Sequence, residues 1–340
     1  MKFIGVVLGL LIFPLVASAH HSVRAHYVPE QSIEIIGTVA EYNLRSPHSF
    51  IFIDVRGENG GVERWEVELA SLAHLRRMGL DANTFEPGDM ITVSAMPNRM
   101  PGNPLVFGTG FVAEDGRTFG EILAPSDTSQ RRAVAGIEAL EGRWQAPFPE
   151  PTTRSPFSLS PEGLAAWENY DPQLSPANFC EPISMPGIYY APYLNDIEVN
   201  EGEVIFYHEV YSLSRSIPLN GAPRRAESLG VLGVVSGRIE GGQLVVESLD
   251  YPVSAWGLAI AVGTNGGGAD VPSSEQKTVI ERYSASEDGR TLTVEYTVDD
   301  PVYLSEPYTS SVELTRVADD APMYDYVCEQ ESAERFSRDP

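Results

Sequence analysis

The sequence predicts two all-β domains in series, a small barrel followed by a larger antiparallel barrel. Short runs rich in β-branched and aromatic residues recur along most of the chain. Turn dipeptides such as Asn220-Gly221, Gly241-Gly242 and Asp288-Gly289 separate several of them, and only two short stretches carry helical spacing.

An export signal stands before the first strand. Lys2 supplies the positive charge, residues 3–16 form an apolar run, and Ala17-Ser18-Ala19 is a small-x-small cleavage site. The run of about 14 residues is short of the roughly 20 that span a bilayer. The expected signal peptide is 1–19, and the mature protein is expected in the periplasm or outside the cell, with no membrane insertion after cleavage.

The first domain is expected over 20–124. Residues 33–42 and 49–55 read as strands, Asn59-Gly60-Gly61 as a hairpin turn, and 64–69 alternates apolar with charged. The period then changes. Leu72, Leu75 and Met78 fall at helical spacing between Ser71 and Gly79, which suit the N- and C-terminal caps. Strands at 90–96 and 105–113 follow. Three strands, a helix and two strands is the element order of the OB fold, a five-stranded barrel.

Residues 125–136 read as a linker and 137–335 as the second domain. Strands are expected at 204–211, 229–239, 244–249, 279–284, 291–298, 311–317 and 323–328, with one helix starting at Pro161 behind Ser160. Hairpin-linked strands at this spacing predict an antiparallel barrel. The glycine-rich run 263–268 is followed by no helix and no Lys-Ser/Thr pair, so it reads as a loop or lid rather than a phosphate cradle.

Charge narrows the partners. The formal net charge is −25, from 48 acidic against 23 basic residues. Such an excess repels phosphate backbones, so no nucleic-acid partner is expected even from an OB-type barrel. Cys180 and Cys328 are the two cysteines, and in an oxidising compartment they are expected to pair. The alternative is two buried thiols.

Several motifs carry a resemblance. His20-His21-Ser22, Gly37-Thr38-Val39, Ser46-Pro47-His48, Trp65-Glu66-Val67-Glu68 and Pro87-Gly88-Asp89 resemble an exported bacterial domain family of unknown function, with Ser46 in place of that family's Asn. The remainder resembles a second group of uncharacterised exported proteins, through Cys180-Glu181-Pro182, Arg215, Glu281-Arg282-Tyr283, Asp300-Pro301 and Tyr326-Val327-Cys328-Glu329. Neither resemblance implies an activity, but both cysteines lie on the second pattern. Glu141-Gly142-Arg143-Trp144 with Arg316 is similar to the Gly-x-Trp and Arg pair of lipocalin-type barrels, which implies Trp packed beneath arginine at the closed end.

Three functions are weighed. The leading one is a small-molecule-binding module, with Tyr189, Tyr190, Trp256 and Tyr303, and Tyr193 beside them, at the mouth of the larger barrel. Their alternative role is covering the core edge. The second is copper binding. A mature N-terminal His20 offers amine and imidazole to one ion, with His21, His48 or His26 adding nitrogen, a donor set that suits Cu(II). The third is a barrel enzyme of lyase or hydratase type around His208, whose plainer reading is an interior histidine. Asp299-Asp300-Pro301 reads as a turn, and no Gly-x-Ser-x-Gly occurs.

Overall fold

The computed structural model describes residues 23–57, 59–120, 135–146, 157–171, 174, 176–226, 230–258, 260–262 and 268–333. The expected signal peptide, His20, His21 and most of the expected linker lie outside them, as do residues 263–267 of the glycine-rich run.

The small barrel has strands β1 (Ile33–Asn43), β2 (Ser49–Arg56), β3 (Val62–Leu69), β4 (Met90–Met96), β5 (Leu105–Ala113) and the short β6 (Thr118–Phe119), in sheet order β3-β2-β1-β4-β5-β6. Parallel pairing of β3 with β5 closes it. Alternation puts Ile35, Val39, Ile51, Ile53, Val67, Ile91, Val93 and Phe111 inside, at 5% exposure or less. A short helix α1 (Val23–His26), not expected from the sequence, precedes the barrel. Helix α2 (Leu72–Arg77) follows β3, and Gly79, with φ +83°, turns the chain out of it.

The larger domain comprises β7 (Gly142–Gln145), β8 (Leu194–Asn200), β9 (Glu203–His208), β10 (Leu213–Pro218), β11 (Arg224–Arg225), β12 (Val234–Glu240), β13 (Gln243–Leu249), β16 (Thr278–Ala285), β17 (Thr291–Asp299) and β18 (Tyr308–Arg316). They form one antiparallel sheet in the order β10-β9-β8-β7-β18-β17-β16-β13-β12-β11. A separate hairpin pairs β14 (Ile260–Val262) with β15 (Gly268–Asp270). The sheet curls until β10 meets β12. Gly221 N donates to Gly237 O, and a Cβ on Gly237 would come 2.5 Å from Ile217 Cγ2, so only glycine lets the barrel nearly close. The Arg316 guanidinium lies 3.9 Å from the Trp144 ring centroid and donates to the carbonyls of Ala139, Glu141 and Gly289. The expected helix is α3 (Pro161–Glu168), whose N-cap Ser160 Oγ accepts from Gly163 N at 3.0 Å. Among the described residues no helix is long and apolar enough to cross a membrane.

Two expected strands end differently. The one expected to reach residue 211 stops at His208, because Tyr211 and Ser212 take positive φ. Residues 323–328 form no strand but an extended strap, whose backbone bonds go to side chains. Tyr324 N donates to Glu209 Oε1 and Tyr326 N to Ser212 Oγ. Cys180 and Cys328 are paired, with Cα atoms 5.8 Å apart. On the chain-entropy account, a loop this long is worth up to about 5 kcal/mol.

The strap joins the two barrels. Arg77, on α2, forks onto Glu209 at the end of β9, with 2.6 and 2.9 Å bonds, and both side chains are almost fully buried. Glu209 also accepts from Leu194 N, and Arg77 donates to Pro322 O. Arg76 and Arg77 both lie over the Tyr324 ring. Further along, Glu329 N donates to Ser46 O and Arg45 pairs with Glu331. Replacing Arg77 strands a carboxylate that water cannot reach. Arg77→Ala is therefore expected to cost about 3–5 kcal/mol in urea unfolding, and Arg77→Ala/Glu209→Leu distinctly less than the single change. Equal losses would show that the pair is not coupled.

Candidate functional site

Polar side chains gather where a barrel of this pattern would ordinarily be apolar. The inward positions of β10 are Leu213, Arg215 and Ile217, and those of β16 are Val279, Glu281 and Tyr283. Arg215 and Glu281 meet inside, both fully buried. Arg215 Nη1 donates to Glu281 Oε2 at 2.6 Å and Nη2 to Oε1 at 2.9 Å. A 3₁₀ turn (Gly187–Tyr190) brings Tyr189 across the interior. Its hydroxyl lies 2.8 Å from Arg215 Nη2 and 2.5 Å from Tyr283 OH, which in turn donates to Glu281 Oε1.

Burial opposes the Arg215 charge, but Glu281, Tyr189 and Tyr283 outweigh it and hold the guanidinium protonated well above its ordinary range. Burial likewise raises the Tyr189 and Tyr283 hydroxyls, so both stay neutral. His208, on β9, stacks on Phe206 and meets the Tyr189 ring edge-on at 5.9 Å. Burial, then Arg215, push it well below the usual histidine range. Its Nδ1 lies 2.7 Å from Asn195 Oδ1, so the neutral ring carries its proton there and presents Nε2 as an acceptor.

This network is incompletely satisfied. Arg215 Nε and His208 Nε2 are buried and have no hydrogen-bond partner among the described residues, and the buried hydroxyls of Ser248 and Tyr251 face each other beside them. Arg215 acts electrostatically on both His208 and Tyr251, so the four belong to one interior. Buried polar atoms in folded proteins nearly always have partners, including water or ligand. Together they offer one donor, one acceptor and two hydroxyls that do either.

A second polar cluster lies on the small barrel. Glu68, at the end of β3, is fully buried. Its Oε1 holds His48 Nδ1 at 2.8 Å, and Tyr27 OH donates to its Oε2. His26 stands close enough to feel both, and burial sets its pKa below the ordinary value. Glu68 on Nδ1 fixes the orientation of the His48 ring and leaves its other nitrogen, Nε2, buried. Among the described residues no group of three or more His, Cys, Asp or Glu side chains is placed to hold a metal ion.

Residues 9–104 match the family of unknown function DUF6152. The DUF6152 match spans β1 to β4 and ends just before β5. No curated protein matches the chain. Among solved structures, the mitochondrial single-stranded DNA-binding protein Rim1 of S. cerevisiae is similar at 8% identity and a TM-score of 0.20, over 26% of this chain and 97% of its own. That score carries nothing over to this chain.

The tyrosines expected at the barrel mouth scatter. Tyr189 lies inside on Arg215, Tyr190 is half-buried with its hydroxyl 2.6 Å from Tyr296 OH, Trp256 is buried, and Tyr303 is half-buried in the turn after β17. Tyr193 packs on Tyr326 of the strap. The structure brings Tyr189 and His208 together, around a centre that was not singled out as a site. The readable signal was a charged residue on each of two otherwise apolar strand faces, Arg215 and Glu281. Asp300 lies in the expected turn, where it is buried and caps the backbone, accepting from Ser274 N, Ser274 Oγ and Val302 N.

Proposed function

We propose that the protein is exported and that its larger barrel binds a small neutral molecule on the polar interior around Arg215 and Glu281. The observation that carries this reading is the pair of buried atoms without partners among the described residues, Arg215 Nε and His208 Nε2, beside the facing hydroxyls of Ser248 and Tyr251. Arg215 and Glu281 cancel, so a charged ligand would add an uncompensated charge to a dry interior. A neutral molecule with both a donor and an acceptor, presenting apolar surface to Phe206 and Val246, meets the requirement. In a thermal-shift panel of small amides, phenols and carbonyl compounds, at least one is expected to raise Tm by several degrees. A ligand present at 100 times its Kd adds about 2.7 kcal/mol. His208→Phe/Tyr251→Phe should fold and lose that shift. A flat panel, or shifts unchanged in the variant, would contradict the reading.

A second reading, copper binding, is favoured by the His48–Glu68 contact. His20 stands three residues before Val23, within roughly 10 Å of extended chain. Its amine and imidazole, with His48 Nε2 and His21 or His26, make a nitrogen donor set for Cu(II). Protein processed at Ala19 is expected to bind about one Cu(II) per chain. One extra N-terminal residue or His48→Ala should weaken binding at least tenfold, within the range for lost ligand geometry. Equal affinity in all three would remove this reading.

A further inference from the structure

Among the described residues four amino acids other than glycine take positive φ: Cys180 at 56°, Tyr211 at 56°, Ser212 at 49° and Asp250 at 56°. Backbone in that region is strained for a residue with a Cβ and persists only where its surroundings hold it. The strap holds three of the four. Cys180 is bonded to Cys328, the Tyr211 ring packs on Tyr326 at 4.6 Å, and Ser212 Oγ accepts from Tyr326 N at 3.0 Å. Asp250 is held elsewhere, by Arg225.

Tyr211 and Ser212 make the turn between β9 and β10. Leu213 pairs with His208 across that ladder, and Arg215 lies two residues further along β10. The strained turn therefore joins the two strand ends that carry His208 and Arg215 into the interior. Without the bridge the strap has little of its own to hold it. Residues 323–328 join no ladder, and the backbone bonds are Tyr324 N to Glu209, Tyr326 N to Ser212 and, beyond, Glu329 N to Ser46 O. Cys180 and Cys328 are half-buried rather than sealed in the core, with Phe179 and Val327 exposed beside them. A bridge so placed is open to an attacking thiolate.

We infer that the strap is a redox-released latch: a dithiol that reduces Cys180–Cys328 frees residues 323–328, lets Tyr211 and Ser212 relax, and loosens the ends of β9 and β10. One thiolate of the dithiol attacks a sulfur of the bridge and forms a mixed disulfide. The S–S bond breaks, and the departing cysteine sulfur takes up a proton. The second thiol of the dithiol loses its proton and displaces the remaining cysteine, so the dithiol ends as a disulfide and the protein as two thiols. Reoxidation closes the latch again. As a control on ligand binding the latch rests on the small-molecule reading, whereas relaxation of the turn needs no ligand.

The test uses the purified full-length protein, oxidised and after treatment with millimolar dithiothreitol in the absence of denaturant. Thiols are counted by alkylation, and amide exchange is followed by mass spectrometry. Both cysteines are expected to be alkylated in folded protein, with exchange over 209–215 rising at least tenfold while β16 and β17 keep their protection. Chymotrypsin should cut after Tyr324 or Tyr326 at least tenfold faster in the reduced protein. Reoxidation should restore both measurements, and Cys328→Ser should match the reduced protein with no reductant present. A bridge reduced only in urea, or reduced protein with unchanged exchange over 209–215, would overturn the inference. The neutral panel separates this claim from the barrel reading. A compound that raises Tm of the oxidised protein should bind the reduced protein at least tenfold more weakly. Unchanged affinity overturns the latch and leaves the barrel reading standing. A panel flat on oxidised protein removes the barrel reading, and amide exchange then decides the latch alone.

Discussion

The buried Arg215–Glu281 pair is the constraint around which the larger barrel is organised. Two opposite charges, fully withdrawn from water, repay their desolvation only with close geometry and further hydrogen bonds. Tyr189 and Tyr283 supply those bonds, which fixes the 3₁₀ turn carrying Tyr189 across the interior. Arg215 also lies over Phe206, which stacks on His208, so the pair orders the inner ends of β9 and β10. An apolar core of equal volume would be as stable or more so. Stability alone therefore gives no reason for a polar interior, and the unpartnered atoms around it supply one.

The same strand carries the second constraint. His208 points into the barrel, while the next residue, Glu209, faces the small domain and takes Arg77. One residue of β9 thus separates the polar interior from the joint between the barrels. The strap closes that joint from outside through Tyr324 and Tyr326, and the Cys180–Cys328 bridge pins it to the larger domain. Movement of α2 against the larger barrel would have to break a buried ion pair. The two domains are tied by the Arg77–Glu209 pair and by the strap's contacts with Ser46 and Arg45, and Ala73 of α2 packs in the larger domain's core.

Much of the architecture was legible because β alternation is a local signal. The five strands and helix of the small barrel and the Ser160 cap follow from short-range pattern, the cysteine pair from the expected oxidising compartment, and the Trp144–Arg316 packing from the lipocalin-type resemblance. The strap was misread as a strand because Met323, Tyr324, Tyr326 and Val327 have strand composition, while its hydrogen bonds go to side chains from distant elements. The site was legible only in pieces. Arg215 and Glu281 are 66 residues apart, and their meeting depends on a sheet register that no local pattern encodes.

The central claim is that the polar interior of the larger barrel is built to hold something other than itself. A crystal structure of the natively purified protein, refined to high resolution, tests this most directly. The account predicts ordered non-protein density, larger than isolated waters, within hydrogen-bond distance of Arg215 Nε and His208 Nε2. An interior in which those atoms are satisfied by protein groups or by single waters alone would contradict it.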